Sequence, residues 1–123
     1  MDTIVLYLGR ILFGGYFIFN GFNHFKMLDM MAGYAQSKGT PMPKVSVAFS
    51  GLLLLAGGLS VLFDFFPILG LVALVLFLIP VTFMMHAFWK EHDPAAKMHE
   101  MVNFMKNFAL LGAVLILLAR AIA

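Results

Sequence analysis

The sequence predicts an all-α membrane protein: an antiparallel four-helix transmembrane bundle with short interfacial helices in loops 1 and 3. Three observations carry this. Hydrophobic residues make up 63% of the chain and charged residues 11%, whereas soluble domains are about half apolar and about a quarter charged. Mean hydropathy is +0.98. Four apolar segments, each near the roughly 20 residues that cross a bilayer as a helix, are separated by connections that hold most of the charge. At 123 residues the chain reads as one domain.

The first span covers about residues 4–22, long enough to cross a bilayer. Its core, Leu8 to Phe25, reads LGRILFGGYFIFNGFNHF. On a helical wheel Arg10, Gly14, Phe17, Asn20, Gly21 and His24 fall within about 120° of one another. A stripe of polar and small residues faces other helices, not lipid. The segment has no basic leader region and reads as a retained span, not a cleavable signal.

Loop 1, Lys26 to Lys44, reads as a short interfacial helix. Met27, Met30, Met31 and Tyr34 recur at helical spacing, and Lys38-Gly39 is a stop signal. The second span, about residues 45–63, holds Gly51, Gly57 and Gly58 with Ser50 and Ser60, which let backbones approach closely. A tight turn, Asp64-Phe65-Phe66-Pro67, leads to the third span at about residues 68–89. Pro80 should bend that helix. Beyond it Thr82, His86 and Trp89 are spaced to share one helical face. Asp93-Pro94 reads as an N-cap with proline at the first helical position, from which a helix runs into the fourth span at about residues 102–122. Its apolar side is Met98, Met101, Val102, Met105 and Phe108. Its polar side is His99, Glu100, Asn103, Lys106 and Asn107.

Both long loops lie on one side of the membrane. They and the adjoining helix ends hold Lys26, Lys38, Lys44, Lys90, Lys97 and Lys106, against Arg10 and Arg120 on the other side. The positive-inside rule puts the long loops in the cytoplasm and both termini outside. The net charge of +2 and pI near 9.1 do not signal a nucleic-acid partner, because the basic residues sit in loops and helix ends. The chain has no cysteine, which excludes disulfides, iron–sulfur clusters and cysteine zinc sites.

The polar membrane residues sort into two layers, since Arg10 and His24 are about 21 Å apart along a helix. Arg10 belongs with Asp64 and Arg120, where a structural ion pair between Arg10 and Asp64 is expected. The other layer, toward the long loops, is the candidate site. His24, His86 and Lys106 are its candidate catalytic residues. Asn20, Thr82, Trp89, Asn103 and Asn107 are its candidate binding residues. Histidines exchange protons near neutral pH, lysine stabilises a developing anion, and aromatic rings hold a flat ligand. The set suits a quinone or another planar lipophilic molecule. No metal site is expected: there is no HxxxH or HExxH spacing, and the ten methionines read as filler, not copper ligands. Haem on His24 and His86 has no supporting motif.

The run LGRILFGGYFIFNGFNHF resembles the first-span signature of the DoxX family through Arg10, Gly14, Gly21, His24 and Phe25. MAGYAQSKGTPMP, Met31 to Pro43, resembles its first loop. HAFWKEHDPAAKMHEMVNFMKNFALLG, His86 to Gly112, resembles the end of its third span and the start of its fourth. The resemblance implies a small four-span protein of the bacterial inner membrane, acting as a quinone-handling subunit or accessory of a membrane oxidoreductase. No motif for flavin, haem c or an iron–sulfur cluster is present, so electrons would come from a partner, such as a soluble oxidoreductase. A non-catalytic membrane adaptor or assembly factor, or a small protein binding lipid or another hydrophobic molecule, is the alternative. The glycine and aromatic faces also suit a homo-oligomer. Many relatives carry an acidic residue early in the second span. Here Ser46-Val47-Ala48-Phe49-Ser50 has none, which argues against a mechanism built on an intramembrane carboxylate.

Overall fold

The computed structural model describes residues 2–123. It contains five α-helices: α1 (Asp2–Lys26), α2 (Leu28–Ser37), α3 (Pro43–Phe63), α4 (Pro67–Met85) and α5 (Pro94–Ile122). A 3-10 turn, Phe88–Lys90, lies between α4 and α5. The segments containing α1, α3, α4 and α5 are long and apolar enough to cross a membrane, and no strand occurs among the described residues. The fold is an all-α membrane bundle.

Proline begins α3, α4 and α5, the position where its missing N–H is not needed. Asp93 caps α5, its Oδ2 accepting from the backbone N–H of Ala96 at 2.9 Å. The tight turn between α3 and α4 places Asp64 and Phe66 in the left-handed region, at φ 53° and 45°. Ser60 Oγ pins it by donating to the Phe66 carbonyl at 3.1 Å.

Neighbouring long helices run antiparallel, as the registers of their contacts show. Between α1 and α3, Gly14 meets Gly58 and Gly21 meets Gly51. A Cβ built on Gly14 would sit 2.8 Å from the Gly58 carbonyl oxygen, and one on Gly58 the same distance from that of Gly14. Only glycine permits this seam. α3 packs against α4 where Gly57 meets Leu74 and Ser60 meets Gly70. α4 packs against α5 through Phe83, which meets Phe104 and Phe108 edge-on. α1 and α5 do not pack closely on one another.

The core occupies the bundle centre: Phe17, Leu54, Leu71, Leu74, Leu78 and Val114. α2 folds back across the long-loop end, burying Ala32 and Ala35 against Val47. Its buried face is thus made of alanines, while Met27 and Met30 of the expected apolar stripe are exposed. α4 differs from expectation more sharply. The helix continues through Pro80 but ends at Met85. His86 therefore sits in a turn, and Thr82, His86 and Trp89 do not share one helical face.

The α1–α3 seam makes a direct prediction. Gly58→Leu should destabilise the protein in detergent by at least about 1–3 kcal/mol, the usual cost of overpacking. Gly112→Leu should not, because nothing lies within 4 Å of a Cβ built there. Thermal unfolding of the two variants checks this, and equal melting temperatures would contradict it.

Candidate functional site

The two polar layers are separate. At the short-turn face Arg10 Nη2 lies 3.4 Å from Asp64 Oδ2. At the long-loop face the helices part around a cavity of about 680 Å³, bordered by α1, α2, α3, α4, α5 and the turn after α4. That volume is in the range of small-molecule sites. Its walls are mainly apolar, among them Phe17, Leu53, Leu54, Phe77 and Leu110, with Met30, Met31, Met84 and Met85 toward the loops.

His24 is placed by the glycine seam. A Cβ on Gly51 would fall 2.8 Å from His24 Cβ, so α3 is bare where the histidine leaves α1. The ring is 8% exposed and stands edge-on to Phe77, centroids 5.9 Å apart. Its Nδ1 lies 2.8 Å from the backbone carbonyl oxygen of Asn20. A carbonyl only accepts, so Nδ1 carries the proton and Nε2 of the neutral ring is left as an acceptor. Asn20 borders the cavity, but its amide donates to the Tyr16 carbonyl at 2.8 Å.

His86 is held differently. Its Nδ1 is 3.2 Å from Oε1 of Glu100, a carboxylate only 2% exposed. Tyr34 donates to Glu100 Oε2 at 2.6 Å, and Lys38 forms an ion pair with the same oxygen. The Lys38 ammonium also donates to Glu91 Oε1 at 2.6 Å. Tyr34 and Lys38 stand one turn apart on and just beyond α2, so both reach Glu100. Glu100 is thus a shared acceptor for α2, the turn after α4, and α5.

Burial, then the hydrogen bond and charge of Glu100, push the Tyr34 phenol up to about 12. For Lys38, burial works against the charge, but the hydrogen bonds to Glu100 and Glu91 outweigh it, and its pKa lies above the ordinary lysine value. A raised lysine pKa contributes stability that is present at neutral pH and is lost only as pH climbs through the folded-state value.

From α5, Asn107 borders the cavity at 6% exposure, with no hydrogen-bond partner for its amide among the described residues. Lys106 reaches toward α1, its ammonium 5.8 Å from the Tyr16 ring centroid, within range of a cation–π contact. This contact joins α1 to α5.

His24, His86, Lys106, Asn20 and Asn107 therefore border one cavity. Thr82, Trp89 and Asn103 do not border it. Thr82 is fully buried and is absent from the cavity wall; its Oγ1 finds no partner among the described residues. Trp89 is turned away by the break at Met85 and packs on Phe88 and Phe104, centroids 5.3 and 5.7 Å away. Asn103 lies outside the cavity wall, and its amide donates back to the His99 carbonyl at 3.1 Å. Glu100, Tyr34 and Lys38 are the residues that sequence reasoning missed as a group. The available signal was the seven-residue spacing of Glu100 and Asn107, which puts both on one face of α5.

The Tyr34–Glu100 contact predicts an alkaline titration. The difference between the absorbance titrations of the wild type and Tyr34→Phe should show a phenol ionising near pH 12. A midpoint at the ordinary tyrosine value of about 10 would contradict the contact.

No curated protein and no solved structure matches the chain. The sequence model of the DoxX family matches residues 5–87, from α1 to the turn that follows α4. The match includes Arg10, His24, Tyr34, Lys38 and His86, and ends before α5, so the chain belongs to the DoxX family.

Proposed function

We propose that this protein binds quinones or quinols at the cavity on its long-loop face, as a quinone-handling subunit or accessory of an oxidoreductase in the bacterial inner membrane. The observation that carries the reading is the combination of a largely apolar cavity with a few convergent polar groups. His24 and His86 each commit Nδ1 to an acceptor and keep Nε2 free. Asn107 and Lys106 supply donors. A quinone carbonyl is met by the Asn107 amide or the Lys106 ammonium, and a quinol hydroxyl by a histidine Nε2.

Access supports the same reading. Tyr16 of α1 and Lys106 of α5 both border the cavity, and a lateral route for a lipid-soluble molecule would pass between these two helices, which do not pack closely. On the proposed topology the long loops face the cytoplasm. A soluble electron-transfer partner docking there would supply the electrons.

Equilibrium dialysis with ubiquinone-1 against the detergent-purified protein tests the proposal. Binding should saturate, and at a hundred times Kd should stabilise the protein by about 2.7 kcal/mol in thermal unfolding. The His24→Ala, His86→Ala double variant and Asn107→Leu should each bind at least about tenfold more weakly, a loss of about 1.4 kcal/mol. Asn103→Leu should bind as the wild type does. No saturable binding, or equal affinity in the double variant, would overturn the reading.

A further inference from the structure

We infer that the two histidines are not equivalent: His86 Nε2 is the base that takes a proton from a phenolic hydroxyl held in the cavity, with Glu100 as its positioning residue, while His24 only accepts a hydrogen bond. The inference rests on the cavity being a ligand site, as proposed above, and adds a reaction step and its direction.

The difference lies in what each Nδ1–H meets. His24 donates to the neutral Asn20 carbonyl, and no charged side chain hydrogen-bonds to its ring among the described residues. An imidazolium there would be buried against Phe77 without a counter-charge, an expensive state. His86 donates to a carboxylate. That contact fixes the tautomer with its lone pair on Nε2, and it stabilises the positive ring formed when Nε2 gains a proton. This is a base oriented by a third group.

Glu100 is the charge that His86 meets directly, and it favours the step. Lys38 contributes one positive charge, and Glu100 and Glu91 contribute one negative charge each. Of the charges that act on the ring, Glu100 favours the imidazolium, while Lys38 and Lys106 oppose it. Tyr34 stays a neutral donor to Glu100. Lys38 and Tyr34 together hold two donors on Glu100 Oε2, which keeps that carboxylate ionised and leaves Oε1 to His86. On the ligand side the nearby charge is Lys106, also at the cavity wall, whose ammonium favours an oxyanion.

The step balances without an oxidant. The phenolic O–H bond breaks and its electron pair stays on oxygen. A new N–H bond forms at His86 Nε2. A neutral phenol and a neutral imidazole become a phenolate and an imidazolium, flanked by Lys106 and Glu100 respectively. For a quinol this is the deprotonation that precedes electron loss to an acceptor.

A nitrophenol, whose phenolate is yellow and whose neutral form is not, reads the step directly. The full-length protein in lipid nanodiscs is mixed with 4-nitrophenol at a pH where the free probe is neutral. Dialysis measures binding and absorbance measures the ionised fraction of the bound probe. The wild type should bind it as the phenolate. Glu100→Gln should bind it with about a tenfold lower ratio of ionised to neutral probe, equivalent to one pKa unit. His86→Gln should bind it in the neutral form. His24→Gln should bind more weakly but keep the wild-type ionised fraction of bound probe. Should Glu100→Gln not fold, His86→Gln carries the test, since it leaves Glu100 bonded to Tyr34 and Lys38. Binding without ionisation in the wild type, or wild-type ionisation in His86→Gln, would overturn the assignment of the base and leave the cavity reading standing. No binding to the wild type would overturn both.

Discussion

The architecture of the long-loop face depends on one buried carboxylate. Glu100 is sealed from solvent and receives Tyr34, Lys38 and His86 at its two oxygens. A charge in such a place is tolerated only when paired and hydrogen-bonded. The three partners come from α2 with its C-terminal flank and from the turn after α4, so pairing Glu100 and closing the loop face are the same event. α2 alone has little to hold it: two alanines packed on Val47, with Leu28, Met31 and Met85 at the edge. Loss of Lys38 would leave the Glu100 charge uncompensated, which costs about 3–5 kcal/mol in buried pairs. The same contact that closes the bundle also sets the tautomer of His86, which joins folding to the chemistry of the site.

A second constraint shapes the membrane part. Glycines at residues 14, 21, 51 and 58 bring α1 and α3 into backbone contact over two turns, while α1 and α5 stay apart. The bundle is thus packed more closely between α1 and α3 than between α1 and α5. Phe17 and its neighbours fill the centre; the space beyond them, toward the loops, remains as the cavity. α5 is long enough to serve both regions. Its 29 residues span about 44 Å, more than the roughly 30 Å of hydrocarbon, and the excess at its N-terminal end carries Glu100 to the level of His86.

The spans, their order and the two polar layers were legible in the sequence, because hydropathy and helical spacing are local properties. Glycines at positions 14, 51 and 58 were readable as close-approach positions for the same reason. The centre of the site was not. Glu100 stands on a polar face with His99 and Asn103, and spacing alone does not tell which of these turns inward. Tyr34 read as part of an apolar stripe because its ring is apolar; only its hydroxyl reaches Glu100. Lys38 read as the end of a helix, which it is, and its ion pairs lie 53 and 62 residues away in the chain. Glu100 also lies beyond the segment that the family match covers. Trp89 was misplaced by one event, the end of α4 at Met85, which the apolar run through Phe88 concealed.

Lys38 and Glu100 are held to each other across the long-loop face, and a double-mutant cycle measures that coupling. Unfolding free energies would be compared for the wild type, Lys38→Met, Glu100→Gln and the double variant in the same detergent. Each single variant should lose several kcal/mol, about the 3–5 kcal/mol of a broken buried pair. The double variant should lose less than the sum of the two by more than about 1 kcal/mol, the signature of residues in contact. Losses that simply add would contradict the pairing, and with it the account of how this face closes and how His86 is held.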